Sequence, residues 1–171
     1  LALLLSCAQA FFGLAGPAIG NRRWMAAARP AVAGQFVFVA LSFAVLAWAF
    51  YKNDFSVLYV ANNSNSALPT FYRFSAVWGA HEGSLLLWAL SLSAWSIAVA
   101  IFSKNLPESF AARVLGVLGF ISIGFQGFIL FTSNPFERLV PAAQDGHDLN
   151  PLLQDFALAV HPPMLYLGYV G

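Results

Sequence analysis

Charge is the scarcest property of this 171-residue chain: only 9% of its residues are Asp, Glu, Lys or Arg, against about 25% in soluble domains. That shortage excludes an ordinary solvated surface. Eight basic and seven acidic residues leave a net charge of +1, so there is neither a basic footprint for nucleic acid nor an acidic disordered tail. No nucleic-acid partner is expected. Cysteine is nearly absent as well. The single Cys7 rules out an intramolecular disulfide framework, a CxxC pair and a thiolate zinc cluster, and within LALLLSCAQAF it is expected to face lipid or a neighbouring helix. A nucleophile elbow, a phosphate loop, HExxH and a dinucleotide fingerprint are also missing, which leaves soluble-enzyme chemistry without a basis in the sequence.

What is present is apolar: 60% hydrophobic and 16% aromatic residues, with a mean hydropathy of +0.72. A span needs about 20 apolar residues to cross a hydrocarbon core of roughly 30 Å. The pattern predicts an all-α, polytopic transmembrane helix bundle. Four full spans are expected at Leu1–Ile19, Ala31–Tyr51, Gly83–Phe102 and Val114–Thr132, and a fifth begins near Val160 and is truncated at Gly171. No basic stretch precedes the first apolar run, so a signal peptide is not expected. Both ends fall inside apolar runs, and the chain is expected to be part of something longer.

Orientation follows from the connections. The first and third carry Arg22, Arg23, Arg29, Lys104 and Arg113 against Glu108 alone, which is the cytoplasmic signature. The two longer loops, 52–82 and 134–159, carry Lys52, Arg73 and Arg138 against six acids, and are expected outside with the N-terminus. In the fourth span Gly116, Gly119, Gly124 and Gly127 fall within a sector of roughly 140°. That is a smooth face for close helix packing, and Gln126 at its border is expected to bond across to another helix.

All three histidines lie on the expected outer side. His81, in WGAHEGSLLLW, heads the third span; read as one helix, Trp78, His81, Leu85, Trp88, Leu92 and Trp95 share about 100° of arc, a face suited either to a planar macrocycle or to an interfacial aromatic belt. Glu82 beside it is an ionisable group near the membrane boundary. His161 stands before Pro162 and Pro163, and is expected at the beginning of the fifth span, since a proline disfavours the α region for its predecessor. His147, between Asp145, Gly146 and Asp148, reads as a solvated turn before a short helix capped by Asn150 with Pro151 first. FSVLYV, before the loop-like ANNSNS, suits a short strand or an interfacial segment.

The strings NDFSVLYVANNSNSALPTFYRFSAVWGAHEGSLLLW, FILFTSNPFERL and DLNPLLQDFALAVHPPMLYLGYVG closely resemble the N-terminal part of the large membrane subunits of bacterial cytochrome c maturation haem lyases, and the match runs over nearly the whole chain. A paralogous subunit of nitrite-reductase cytochrome maturation is similar. The resemblance implies an inner-membrane protein with periplasmic haem handling. It would receive haem b as substrate from a haem chaperone and help attach it to apocytochrome c presented by a thioredoxin-like subunit. His161 matches the family's axial haem ligand in the HPP motif, so its only metal contact would be through haem iron. His81 is a secondary candidate, and Trp78 and Trp88 are weaker ones. The remaining ligands and the Trp-rich haem-holding motif lie outside this chain, which alone is expected to be inert. Without the resemblance, an ion-coupled transporter using His81 and Glu82 or a purely structural scaffold in membrane lipid stays open.

Overall fold

The computed structural model describes residues 1–170, and within them the chain is helical with no sheet. Seven α-helices follow in order: α1 (Ala2–Ala18), α2 (Arg22–Lys52), α3 (Leu58–Asn63), α4 (Thr70–Ser75), α5 (His81–Phe102), α6 (Glu108–Phe131) and α7 (Phe156–Val170). Short 3₁₀ turns at Ala76–Trp78, Ser103–Asn105 and Pro151–Gln154 punctuate them. The helices α2, α5 and α6 are long and apolar enough to cross a membrane, with mean hydropathy of 2.0 to 2.1. The architecture is that of an all-α membrane helix bundle. At 17 and 15 residues, α1 and α7 are shorter apolar helices; at 1.5 Å per residue α1 rises about 26 Å. Gly171, the expected limit of the fifth span, lies outside the described residues.

Two compact units are defined, chiefly Leu1–Leu41 with Ala89–Phe128, and chiefly Ser42–Trp88 with Ile129–Tyr169. In the first, α1 ends at Gly20, whose φ of +68° only glycine adopts without strain. The Asn21 amide returns to the Gly16 carbonyl at 2.9 Å, closing a Schellman turn. The Asn21 side chain then accepts from the amides of Arg23 and Trp24 and caps the next helix. This explains why α2 starts at Arg22 and not at the expected Ala31, running on through Pro30. Arg29, inside α2, donates to the Ala100 carbonyl and to Ser103 Oγ, placing a cation at the C-terminal end of α5 where the helix dipole favours it. Val32, Ala100 and Leu115 form the apolar centre.

The glycine face of α6 divides in two. A Cβ at Gly13 of α1 would lie 2.6 Å from Gly116 Cα, and one at Gly119 would lie 2.8 Å from the Ala10 nitrogen, whereas Gly124 and Gly127 have nothing within 4 Å. Only the first pair serves the close crossing. Polar clips flank it: Gln9 Nε2 donates to the Leu115 carbonyl at 2.7 Å, and Gln126 Nε2 to Ser6 Oγ at 2.9 Å, the expected bond of Gln126 across to another helix. Cys7 is free and exposed on α1.

In the second unit the two long loops are clasped together. FSVLYV is not a strand: Val57 makes one isolated antiparallel bridge with Arg138, and Leu58 already begins α3. A strand needs a ladder, and here the partner segment supplies a single rung. Leu58 donates to the Glu137 carbonyl and Leu139 to that of Ser56, at 2.9 and 2.8 Å. Further along, Ser66 binds Asp145 through its amide and hydroxyl at 2.9 and 2.6 Å, Asn65 donates to Asp148, and the His147 amide donates to the Ala61 carbonyl at 2.7 Å. A Cβ at Gly146 would collide with the Ser64 carbonyl, so only glycine permits this approach.

The division of the glycine face yields a test. Gly13→Ala is expected to destabilise the detergent-solubilised bundle by about 1–3 kcal/mol in a denaturant titration, because backbone must move to admit the methyl. Gly124→Ala, made into open space, is expected to leave stability unchanged or slightly raised; equal losses for the two would contradict the crossing described.

Candidate functional site

The segment that carries His161 is built from Asp155 upward. Asp155 Oδ1 accepts from the amides of Ala157 and Leu158 at 2.9 and 3.2 Å, capping α7 one residue before its start at Phe156. His161 is therefore the sixth residue of the helix and not its first, which corrects the placement at a span's beginning. The correction has a physical reason: the Asp155 cap stabilises the turn ahead of the histidine, and the steric bias of Pro162 on its predecessor is overridden. The preceding 3₁₀ turn forms as expected, with Asn150 Oδ1 accepting from Leu152 at 3.1 Å and Pro151 in first position.

Pro162 and Pro163 lie within α7 and supply no N–H to the carbonyls four residues back, Leu158 and Ala159. The second of these carbonyls is taken by another side chain. Trp78 Nε1 donates to Ala159 O at 2.9 Å. Ala159 is 1% exposed, and Pro162, Pro163 and Tyr166 on its side of the helix are half-buried. Tyr166 stacks on Trp88 with ring centroids 5.6 Å apart and 13° between planes, and Phe156 stacks on Phe71 at 5.6 Å and 21°. Two positions past Ala159, His161 is turned by about 200° and stands on the exposed side with Met164, Leu165 and Gly168. A depression of about 340 Å³ is lined there by Met164, Leu165, Gly168 and Tyr169, and a Cβ at Gly168 would meet nothing within 4 Å.

His81 opens α5 and is exposed, with Nδ1 2.8 Å from Ser133 Oγ. The expected stripe from Trp78 to Trp95 does not form as one helical face, because Trp78 belongs to the 3₁₀ turn before α5. The turn exists for a local reason. Tyr59, 4% exposed, accepts from the Ala80 amide at 3.1 Å and lies 3.2 Å from the Val77 carbonyl. A Cβ at Gly83 would strike that same carbonyl and come within 2.6 Å of the Tyr59 hydroxyl. Burial pushes the Tyr59 phenol far above the ordinary tyrosine range, so it stays a neutral hydrogen-bonding group. Tyr59 is not legible as a site-building residue, because within FSVLYV it reads as one more apolar position of a short strand or interfacial segment. His147 is held by its backbone, with its side chain exposed. Among the described residues no group of three His, Cys, Asp or Glu side chains gathers to hold a metal ion.

An axial ligand to haem needs an imidazole clear of packed surface with an apolar, unobstructed flank. The exposed side of α7 supplies both in His161 and in the stretch from Met164 to Gly168, so the residues present fit one face of a porphyrin. His81 is exposed with its Nδ1 oriented by Ser133, and Trp88 stacks on Tyr166.

The family described as cytochrome C assembly protein matches residues 78–171, the part that holds the Trp78 turn, α5 and α7. The chain belongs to the cytochrome c assembly protein family. More particularly, it is 63% identical to the cytochrome c-type biogenesis protein CcmF of Pseudomonas aeruginosa and 55% identical to that of Escherichia coli, over 100% of this chain and 26% of each relative. The cytochrome c-type biogenesis protein NrfE of Haemophilus influenzae is 48% identical over 99% of the chain and 27% of its own length. A solved structure of the cytochrome c heme lyase CcmF superimposes with a TM-score of 0.86 at 32% identity, covering 99% of this chain and 26% of that one. The chain thus spans about a quarter of the length of the curated relatives it matches.

Two loop carboxylates set a pH window. The Ser56 hydroxyl, with its amide and the Arg138 guanidinium, holds Asp54 below the ordinary aspartate value of 3.8, and the hydroxyl and amide of Ser66 with the Gly146 amide do the same for Asp145. A carboxyl whose folded value is depressed adds stability above the ordinary value and loses it as pH falls through the lowered one. Amide exchange at 64–66 and 145–147, corrected for intrinsic rate, is expected to stay slow from pH 7 to 5 and to quicken below about pH 4. Fast exchange at these amides already at pH 7 would count against the clasp.

Proposed function

We propose that the chain is the N-terminal membrane part of a cytochrome c maturation haem lyase subunit, and that His161 is an axial ligand to the substrate haem. The observation that carries this reading is the imidazole standing on the exposed side of α7, opposite the packed face of Ala159 and Tyr166, beside the open flank at Gly168. The identity of 55% to the CcmF of Haemophilus influenzae, against 48% to the NrfE of the same organism, supports the CcmF type.

On this reading the protein sits in the bacterial inner membrane, with the loops 52–82 and 134–159 in the periplasm, in keeping with their three bases against six acids. Haem b arrives from a haem chaperone, and a thioredoxin-like subunit presents the reduced CxxCH of apocytochrome c. The porphyrin supplies vinyl groups and a redox-active iron, and the protein supplies orientation. His161 presents a neutral nitrogen to the iron. The apolar Met164 and Leu165 would lie against a bound porphyrin, and Gly168 would leave space for it. The clasped loops hold the turn that braces α7, so the imidazole keeps its direction while a second protein approaches.

His161→Ala in the full-length protein is expected to reduce retained haem by more than the roughly tenfold that follows loss of an outer-shell partner. Oxidised and reduced visible spectra of the protein purified with its haem chaperone provide the measurement. Unchanged haem content together with normal cytochrome c output would overturn the assignment.

A further inference from the structure

We propose that Trp78 is a positioning residue for His161, acting through the backbone of α7. The proposal rests on the haem-lyase reading for its consequence, but its geometry stands independently. An indole N–H is a donor with no acceptor capacity, and Ala159 O is a buried acceptor whose helical partner Pro163 cannot provide. These two unmet requirements satisfy each other at 2.9 Å. The Trp78 side is itself fixed: Phe74 meets the indole edge-on at 5.4 Å and 88°, and Ser84 Oγ donates to the Trp78 carbonyl at 2.8 Å. The His161 side is two residues from the accepting carbonyl, on the same turn of helix. Without the indole, neither Leu158 O nor Ala159 O has its helical N–H donor, so the turn before the prolines is two bonds short of an ordinary helix, and the direction of the His161 Cα–Cβ bond is left to the Asp155 cap and the ring packing at Phe156 and Tyr166.

Proline makes the idea separable from general damage. Trp78→Phe keeps most of the ring and removes the donor, while Pro163→Ala returns a backbone N–H to Ala159 O and makes the donor redundant. In the full-length protein with its haem chaperone, Trp78→Phe is expected to speed amide exchange at Val160 and His161 on the order of fivefold, the equilibrium equivalent of one net hydrogen bond. It is also expected to shift the haem absorption bands and to lower retained haem by a similar factor. In the Pro163→Ala background the same change is expected to leave exchange and spectrum within about twofold of Pro163→Ala alone. Should Trp78→Phe not accumulate, the double variant is expected to accumulate, and its failure to do so would overturn the proposal. So would exchange unaltered by Trp78→Phe, or equal effects of that change in both backgrounds. His161→Ala run in parallel separates the two readings. If it leaves haem in place, the ligand assignment fails whatever the exchange shows; if it strips haem while Trp78→Phe alters nothing, the positioning role fails alone.

Discussion

Backbone groups that cannot reach water must find partners within the protein, and a bilayer makes that requirement absolute over most of a span. The structure meets it with side chains at several places where a helix ends or is interrupted. Asn21 covers the first amides of α2 while Gly20 lets the chain close α1. Arg29 covers the Ala100 carbonyl near the end of α5, Gln9 adds a second donor to Leu115 O, and Trp78 covers the carbonyl that Pro163 leaves open. For Arg29, Gln9 and Trp78 the side chain reaches from a different element. The same bond that satisfies a backbone group therefore also fixes how two elements meet, and polar economy becomes tertiary specificity.

Through that economy the loops hold the site. Phe50, fully buried, packs edge-on against Tyr59 at 5.4 Å; Tyr59 bonds the turn at Val77 and Ala80; and the turn presents Trp78 to α7. Around this line the clasp from Val57–Arg138 to Ala61–His147 joins the two long loops. The exposed ion pair between Asp54 and Arg138, at 3.2 Å, contributes little by itself, since surface pairs are worth about 0–1 kcal/mol. The backbone bonds on either side of it and the glycine-only approach at Gly146 carry more, because they are short-range and leave no alternative conformation.

Hydropathy made the membrane-bundle class and the long apolar helices legible, because burial in lipid demands contiguous apolar residues whatever the tertiary arrangement. Boundaries were less legible. Arg22 to Pro30 looks like a loop by charge and proline content, yet one asparagine cap and one guanidinium pairing make it helix. The α6 glycines showed their shared face through periodicity, but which two are packed depends on the path of α1, and nothing local encodes that path. The short helix before α7, with Asn150 and Pro151 at its start, was legible from its capping residues; the depth of His161 within α7 was not, because the Asp155 cap outweighs the local bias of an X–Pro bond. The role of Trp78 was hidden by extending the α5 periodicity three residues too far, across Gly79.

The two prolines and the histidine have a geometric relation of their own. Pro162 and Pro163 are half-buried on the packed side of α7, and His161 is on the opposite side. A packed proline fixes φ and admits no competing hydrogen bond, so the side that touches the protein is stiff and has a single bonding solution. The exposed side inherits that stiffness without any contact of its own. On the proposed reading, in which a substrate haem is held and then passed on, this division has a clear advantage. A ligand braced from behind would keep its direction without a closed cage of side chains around it. Pre-organisation of this kind lowers the cost of binding.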